Sequence, residues 1–200
     1  KNNGNTPETI SYDNYDLNHQ YEFTNFRYSN QNSNSQDIEY TSNFIKKFKK
    51  EGHKITIDAS FSFDKDNDNS IITSDALEQT SNAQKQNESL IKADYVLPFG
   101  KESQFEMGYK GNFNSLLTDY KVGDLDNSGK YTPNSQFTNI LDYTEKVNAF
   151  YTQLGTKINQ FSFLFGLRWE DSNIDVNQLV TNDFNTKKYN NFFPSAFVTY

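Results

Sequence analysis

Two stretches of the chain carry oxygen ligands at every second position. "DKDNDNSIITSD" spaces Asp64, Asp66, Asp68 and Ser70 by two and sets Asp75 twelfth. "DLDNSGKYTPNS" spaces Asp124, Asp126 and Ser128 likewise, with Gly129 sixth. Hard oxygens in this pattern suit Ca2+, and glycine at the sixth place suits the sharp turn of an EF-hand loop. Calcium is therefore the cofactor these stretches suggest. Against it, Asn69 stands where the first loop needs glycine, the second lacks a final carboxylate, and no helix flanks either. A plain Asp/Asn/Gly turn is the competing reading.

Other chemistry is thinner. His19 and His53 are the only histidines, one expected in a loop and one beside a turn, both solvated. No G-x-S-x-G occurs, and nothing places a histidine between a nucleophile and a carboxylate. Carboxylates are plentiful enough for glycoside chemistry, but lining a wet interior explains them more simply. The expectation is no enzyme, no catalytic residue and no organic cofactor. "IKKFKKEGHK" gathers Lys46, Lys47, Lys49, Lys50 and Lys54. These read as a solvated turn, or as lysines meeting phosphate head groups.

Such residues need elements to position them, and the elements read as strands. In "NQFSFLFGLRWED", Phe161, Phe163, Phe165, Leu167 and Trp169 alternate with Ser162, Leu164, Gly166, Arg168 and Glu170. Successive side chains of an extended chain point to opposite faces. Residues 53–64 set Ile55, Ile57, Ala59, Phe61 and Phe63 against Lys54, Thr56, Asp58 and Ser60. Residues 90–99 set Ala93, Tyr95, Leu97 and Phe99 against Lys92 and Asp94. Residues 104–114 set Phe105, Met107, Tyr109 and Phe113 against Glu106 and Lys110.

Composition says what the two faces meet. The chain has 200 residues, 34% of them apolar, yet 18 Phe and 13 Tyr, and a mean hydropathy of −0.88. Few aliphatics with many aromatics make a poor recipe for a large core. A net charge of −7 argues against nucleic acid. No apolar run reaches the ~18–20 residues of a membrane helix, the first residues lack a signal peptide's apolar region, and there is no Cys.

The strands read at about 11–19 residues, longer than the usual ~5–6. Short and long connections alternate: turns near 50, 101 and 159, polar stretches at 65–88, 123–139 and 175–188. A transmembrane barrel is built so, with short periplasmic turns, long extracellular loops and strands apolar outside and polar inside. A soluble sheet with one wet face explains the alternation but neither the strand lengths nor the loop asymmetry. The expected fold is all-β: about seven long antiparallel strands of a transmembrane β-barrel over 35–200, with an extracellular loop region at 1–34 holding a short strand at 21–28. Ile55, Ile57, Phe61, Phe63, Tyr95, Leu97, Phe105, Met107, Tyr109, Phe113, Phe161, Phe163, Phe165, Leu167 and Trp169 are expected to face lipid. Lys54, Asp58, Lys92, Asp94, Glu106, Lys110, Arg168 and Glu170 are expected to face the lumen. Phe48, Phe99, Phe105 and Phe161 flank the short turns, and Phe63 and Trp169 lie toward the long loops, as interfacial girdles do.

"DYVLPFGKESQFEMGYKGNFNSLLTDY", "KVNAFYTQLGTKINQFSFLFGLRWEDSNID" and "NNFFPSAFVTY" together resemble the outer-membrane β-barrel of the Bacteroidota TonB-dependent receptor family. The matching pieces are Asp94–Lys101, Gly108–Lys110, Ala149–Gln153, Gly166–Arg168 and Phe193–Ser195, in order. The resemblance implies an internal portion of a 22-stranded barrel, plugged by a domain this sequence does not contain, that imports a nutrient on energy passed by TonB. It implies outer-membrane lipid, TonB through that plug, and surface lipoproteins or other outer-membrane proteins as partners. Glu106 would meet the plug; Asp64 and Glu170, with Tyr12, Tyr15, Tyr21, Tyr131 and Asn134 in the loops, would meet substrate. A barrel serving as scaffold in a larger surface complex is the alternative.

Overall fold

A computed structural model describes residues 2–74 and 76–200. They form one antiparallel sheet of nine strands: β1 (Asn2–Tyr15), β2 (Tyr21–Lys47), β3 (Lys54–Thr73), β4 (Leu77–Phe99), β5 (Ser103–Leu125), β6 (Tyr131–Pro133), β7 (Asn139–Ile158), β8 (Phe161–Gln178) and β9 (Asp183–Thr199). Neighbours in sequence are neighbours in space, except that the three-residue β6 pairs only with β5. The sheet is open, with β1 and β9 at its edges.

The register turns alternation along each strand into rows across the sheet, because directly paired residues share a face. One row runs Phe44, Ile57, Ala93, Tyr109, Phe150, Trp169, Phe192. The next toward the short turns runs Ile55, Tyr95, Met107, Thr152, Leu167, Pro194. One face is thus greasy over its middle, the other charged.

Neither face is covered by a second layer among the described residues. Among the described residues the buried hydrophobics are Ile72, Val96 and Ala149. Ile57 is 40% exposed, Met107 48%, Phe150 54% and Phe165 48%. A soluble two-sheet protein would bury these positions, since burial is what repays the ordering of the chain. Here the apolar face is left for another medium.

Over 35–200, as expected, the long strands number seven, β2–β5 and β7–β9, and 123–139 is a connection, carrying the short β6 between turns. Two expectations need correction. β3 runs on to Thr73 with β4 starting at Leu77, and β8 runs on to Gln178 with β9 starting at Asp183, so the polar stretches at 65–88 and 175–188 are largely strand. Residues 2–34 are likewise a hairpin, β1 against the start of β2, rather than a loop with one short strand. Once the apolar half of a hairpin fixes register, each further pair satisfies more backbone N–H and C=O groups. Polar side chains then bridge: Asn34 Nδ2 donates to Asn3 Oδ1 at 2.7 Å, and Thr186 Oγ1 to Asp175 Oδ1 at 2.6 Å.

The short turns meet the conformational demand of reversal with Gly52, Gly100 and Asn159, all at positive φ, the region glycine and asparagine tolerate.

Candidate functional site

All fifteen residues expected on the apolar side fall on one face of the sheet, and all eight expected on the charged side fall on the other. The charged face holds the densest polar cluster, at its middle. One row there runs Asn43, Asp58, Lys92, Lys110, Ala149, Glu170, and the next runs Thr56, Asp94, Gly108, Tyr151, Arg168. Lys92 Nζ lies 2.8 Å from Asp94 Oδ2, and Arg168 Nη2 2.6 Å from Glu170 Oε2. Asn43 Nδ2 donates to Asp58 Oδ1 at 2.5 Å. Ala149 is fully buried beneath this network.

The two ion pairs join the rows, and within the second row Tyr151 donates its hydroxyl to Asp94 across the intervening strand. It can do so because residue 108 has no side chain. A Cβ there would overlap the Tyr151 ring and lie 2.8 Å from the Ala93 carbonyl oxygen. Gly108→Ala should therefore cost about 1–3 kcal/mol of folding stability, the usual range for overpacking. Adding Tyr151→Ala should recover only the part of the loss due to the ring, leaving the part due to the Ala93 carbonyl, and a double-mutant cycle by denaturant titration checks it.

Beside the cluster lies an open hollow of about 620 Å³, lined in part by Thr56, Asp58, Lys92, Asp94, Glu106 and Tyr151. The arrangement offers fixed charges of both signs along one wall. Tyr151 and Asn43 were not among the residues singled out from sequence, whereas the alternation places Thr56 on this face. Extending the alternation through "AFYTQ" would have placed Tyr151 on this face.

The calcium expectation meets a different geometry. Asp64, Asp66 and Asp68 lie along extended β3, so the first loop does not exist as a loop. Asp75 lies outside the described residues. Asp124 is in β5, while Asp126 holds a turn: its Oδ1 accepts from Ser128 N at 2.9 Å, Ser128 Oγ at 2.6 Å and Lys130 N at 2.9 Å. Among the described residues no three His, Cys, Asp or Glu converge as a metal cluster. The Ser128 hydroxyl, followed by the Lys130 amide, holds the Asp126 carboxyl below its ordinary pKa. A depressed carboxyl stabilises the turn above its unfolded pKa and stops doing so as pH falls through the folded value. Hydrogen exchange at the Ser128 and Lys130 amides should therefore quicken at acid pH, beyond its intrinsic pH dependence, and in Asp126→Ala at neutral pH.

His53 is half-buried rather than solvated: it stacks on Phe48 at 4.1 Å, and its Nε2 lies 3.0 Å from Tyr95 Oη. At the far end of the sheet Tyr12, Tyr15 and Tyr21 are exposed. Tyr131 is half-buried against Gly123, and Asn134 N donates to Val122 O at 2.8 Å.

A single antiparallel sheet of long strands, greasy on one face and charged on the other, is the wall of an outer-membrane β-barrel. The chain belongs to the outer membrane protein beta-barrel family, whose model matches residues 46–200, and its place is the outer membrane of a Gram-negative cell. Among solved structures it is similar in fold to the ferric citrate transporter FecA in its unliganded form, with a TM-score of 0.51 and 14% identity. The match covers 87% of this chain and 25% of FecA, so the chain spans a quarter of that protein's length. No curated protein matches it in sequence.

Proposed function

We propose that this chain forms a sector of the barrel wall of a TonB-dependent outer-membrane receptor that imports a nutrient and performs no enzymatic chemistry. The observation that carries the reading is the pair of faces: a hydrocarbon-compatible side bearing Ile57, Met107 and Phe165, and an opposite side bearing Asp58, Lys92, Asp94, Glu106, Arg168 and Glu170. Charges on the second side need water or a polar partner, which a lumen supplies. Within the apolar band the open edges are β2 over Asp37–Lys47 and β9, which fits a sector that other strands complete, because a sheet in lipid must pair its edges.

Within that barrel, Glu106 and the hollow beside it, close to the short turns, face the plug. Glu170 and Asp64, farther along, face incoming substrate. The exposed tyrosines of the β1–β2 hairpin suit ligand capture, since aromatic anchors cost little ordering entropy. Likeness to a ferric citrate transporter favours import over a scaffold role and leaves the cargo class open.

A gene-deletion strain grown on single sources of iron, cobalamin, glycan or peptide tests the proposal. At least one source should support growth only when both the gene and TonB are intact. Unimpaired growth on every source, with loss of a surface complex instead, would replace import by scaffolding.

A further inference from the structure

The charge of the chain is sharply segregated. Net charge is −7 overall, yet the β2–β3 turn is strongly basic. Lys46, Lys47, Lys49, Lys50 and Lys54 crowd it, opposed there only by Glu51. At the other two short turns of the same rim lie Lys101, balanced by Glu102 beside it, and Lys157. All these lysines are exposed, and among the described residues none makes an ion pair. Lys47 and Lys54 are directly paired across the ladder, a like-charge arrangement that is unfavourable unless an anion sits between or beside them.

Their surroundings identify the anion's source. Lys46 is on the apolar face, paired with Ile55, between Phe44 and Phe48 along the strand. A soluble acidic partner would have to enter the hydrocarbon side of the wall to reach it. Its stem can instead lie along apolar surface while the ammonium reaches the headgroup layer. Phe48, Phe99 and Phe161, all exposed at the same end, mark the level of that layer. We infer that the short-turn rim, centred on Lys46, Lys49 and Lys50, is a docking surface for anionic glycerophospholipid headgroups of the facing leaflet. Their phosphates serve as the counter-ions the lysines lack. This rests on the barrel-wall orientation proposed above.

The test uses the full-length gene product, delipidated in detergent and mixed with equimolar phosphatidylglycerol and phosphatidylcholine of identical chains. Retained lipid is read by native mass spectrometry. Phosphatidylglycerol should be retained in preference, and less so at 0.5 M than at 0.05 M salt on the order of the screening expected for exposed charges. The combined Lys46→Gln, Lys49→Gln, Lys50→Gln variant should lower the ratio about fivefold or more. Lys187→Gln with Lys188→Gln, at the opposite end, should leave it unchanged, and inorganic phosphate should not compete at millimolar levels. Equal retention of the two lipids by the parent, or an unchanged ratio in the triple variant with its β-sheet circular dichroism intact, overturns the inference. Either outcome leaves the face assignment standing, because spin-label accessibility measures that separately.

Discussion

Ile57→Arg or Phe165→Arg is expected to destabilise the folded, membrane-inserted protein by about 2–4 kcal/mol, the cost of a cation on the lipid face near the midplane of a barrel. Ile57 sits in the Phe44–Phe192 row, and Phe165 pairs with Leu154 and Ala196 nearer the short turns. Because the cost falls toward the interfaces, Ile57 should be the more sensitive of the two. Thr56→Arg and Ser60→Arg, next to Ile57 in chain but on the charged face, should cost far less. Reversible denaturant titration of protein folded into vesicles provides the comparison. Equal penalties at 57 and 56 would remove the distinction between the faces.

The second large effect concerns the ladder. Thr152→Pro should cost about 3 kcal/mol or more, because proline removes a backbone donor inside the membrane, where no water replaces the lost bond. Thr152 lies in β7, between Met107 of β5 and Leu167 of β8. Apart from Pro194 of β9, which pairs with Leu167, the chain's own prolines avoid such sites: Pro7 lies on the outermost strand β1, Pro98 is next to the end of β4, and Pro133 ends β6. This is where a sheet tolerates proline. Loss of the folded, heat-resistant form on gel electrophoresis in Thr152→Pro is the expected result; parent-like behaviour would mean that β5, β7 and β8 are not joined as described.

Much of this was readable in the sequence, and the limit has a physical cause. Where one face meets hydrocarbon and the other water, side chains must differ by face, so 53–64, 90–99, 104–114 and 161–169 betray their strands. In 65–73, 77–88 and 175–188 both faces tolerate polar groups, and no contrast survives to mark the period. Asp64, Asp66 and Asp68 were for that reason legible as a metal loop, although they are alternate residues of a strand. The same limit hid β1, whose sequence "NNGNTPETISYDNY" is polar on both sides. For the charged cluster, alternation placed the members on one face, but not their partners. That Tyr151 reaches Asp94 over Gly108 depends on three strands meeting in one register. No single segment carries that information.

The central claim is that one face of this sheet meets hydrocarbon and the other water, and the absence of Cys lets it be measured directly. Nitroxide labels at Ile57→Cys, Met107→Cys and Phe165→Cys are compared with labels at Asp58→Cys, Glu106→Cys and Arg168→Cys in the reconstituted protein. The first three should collide readily with oxygen, which concentrates in lipid, and poorly with a water-soluble nickel chelate; the second three should show the reverse. Matching accessibilities on the two sets, or chelate access at 57, 107 and 165, would contradict the account.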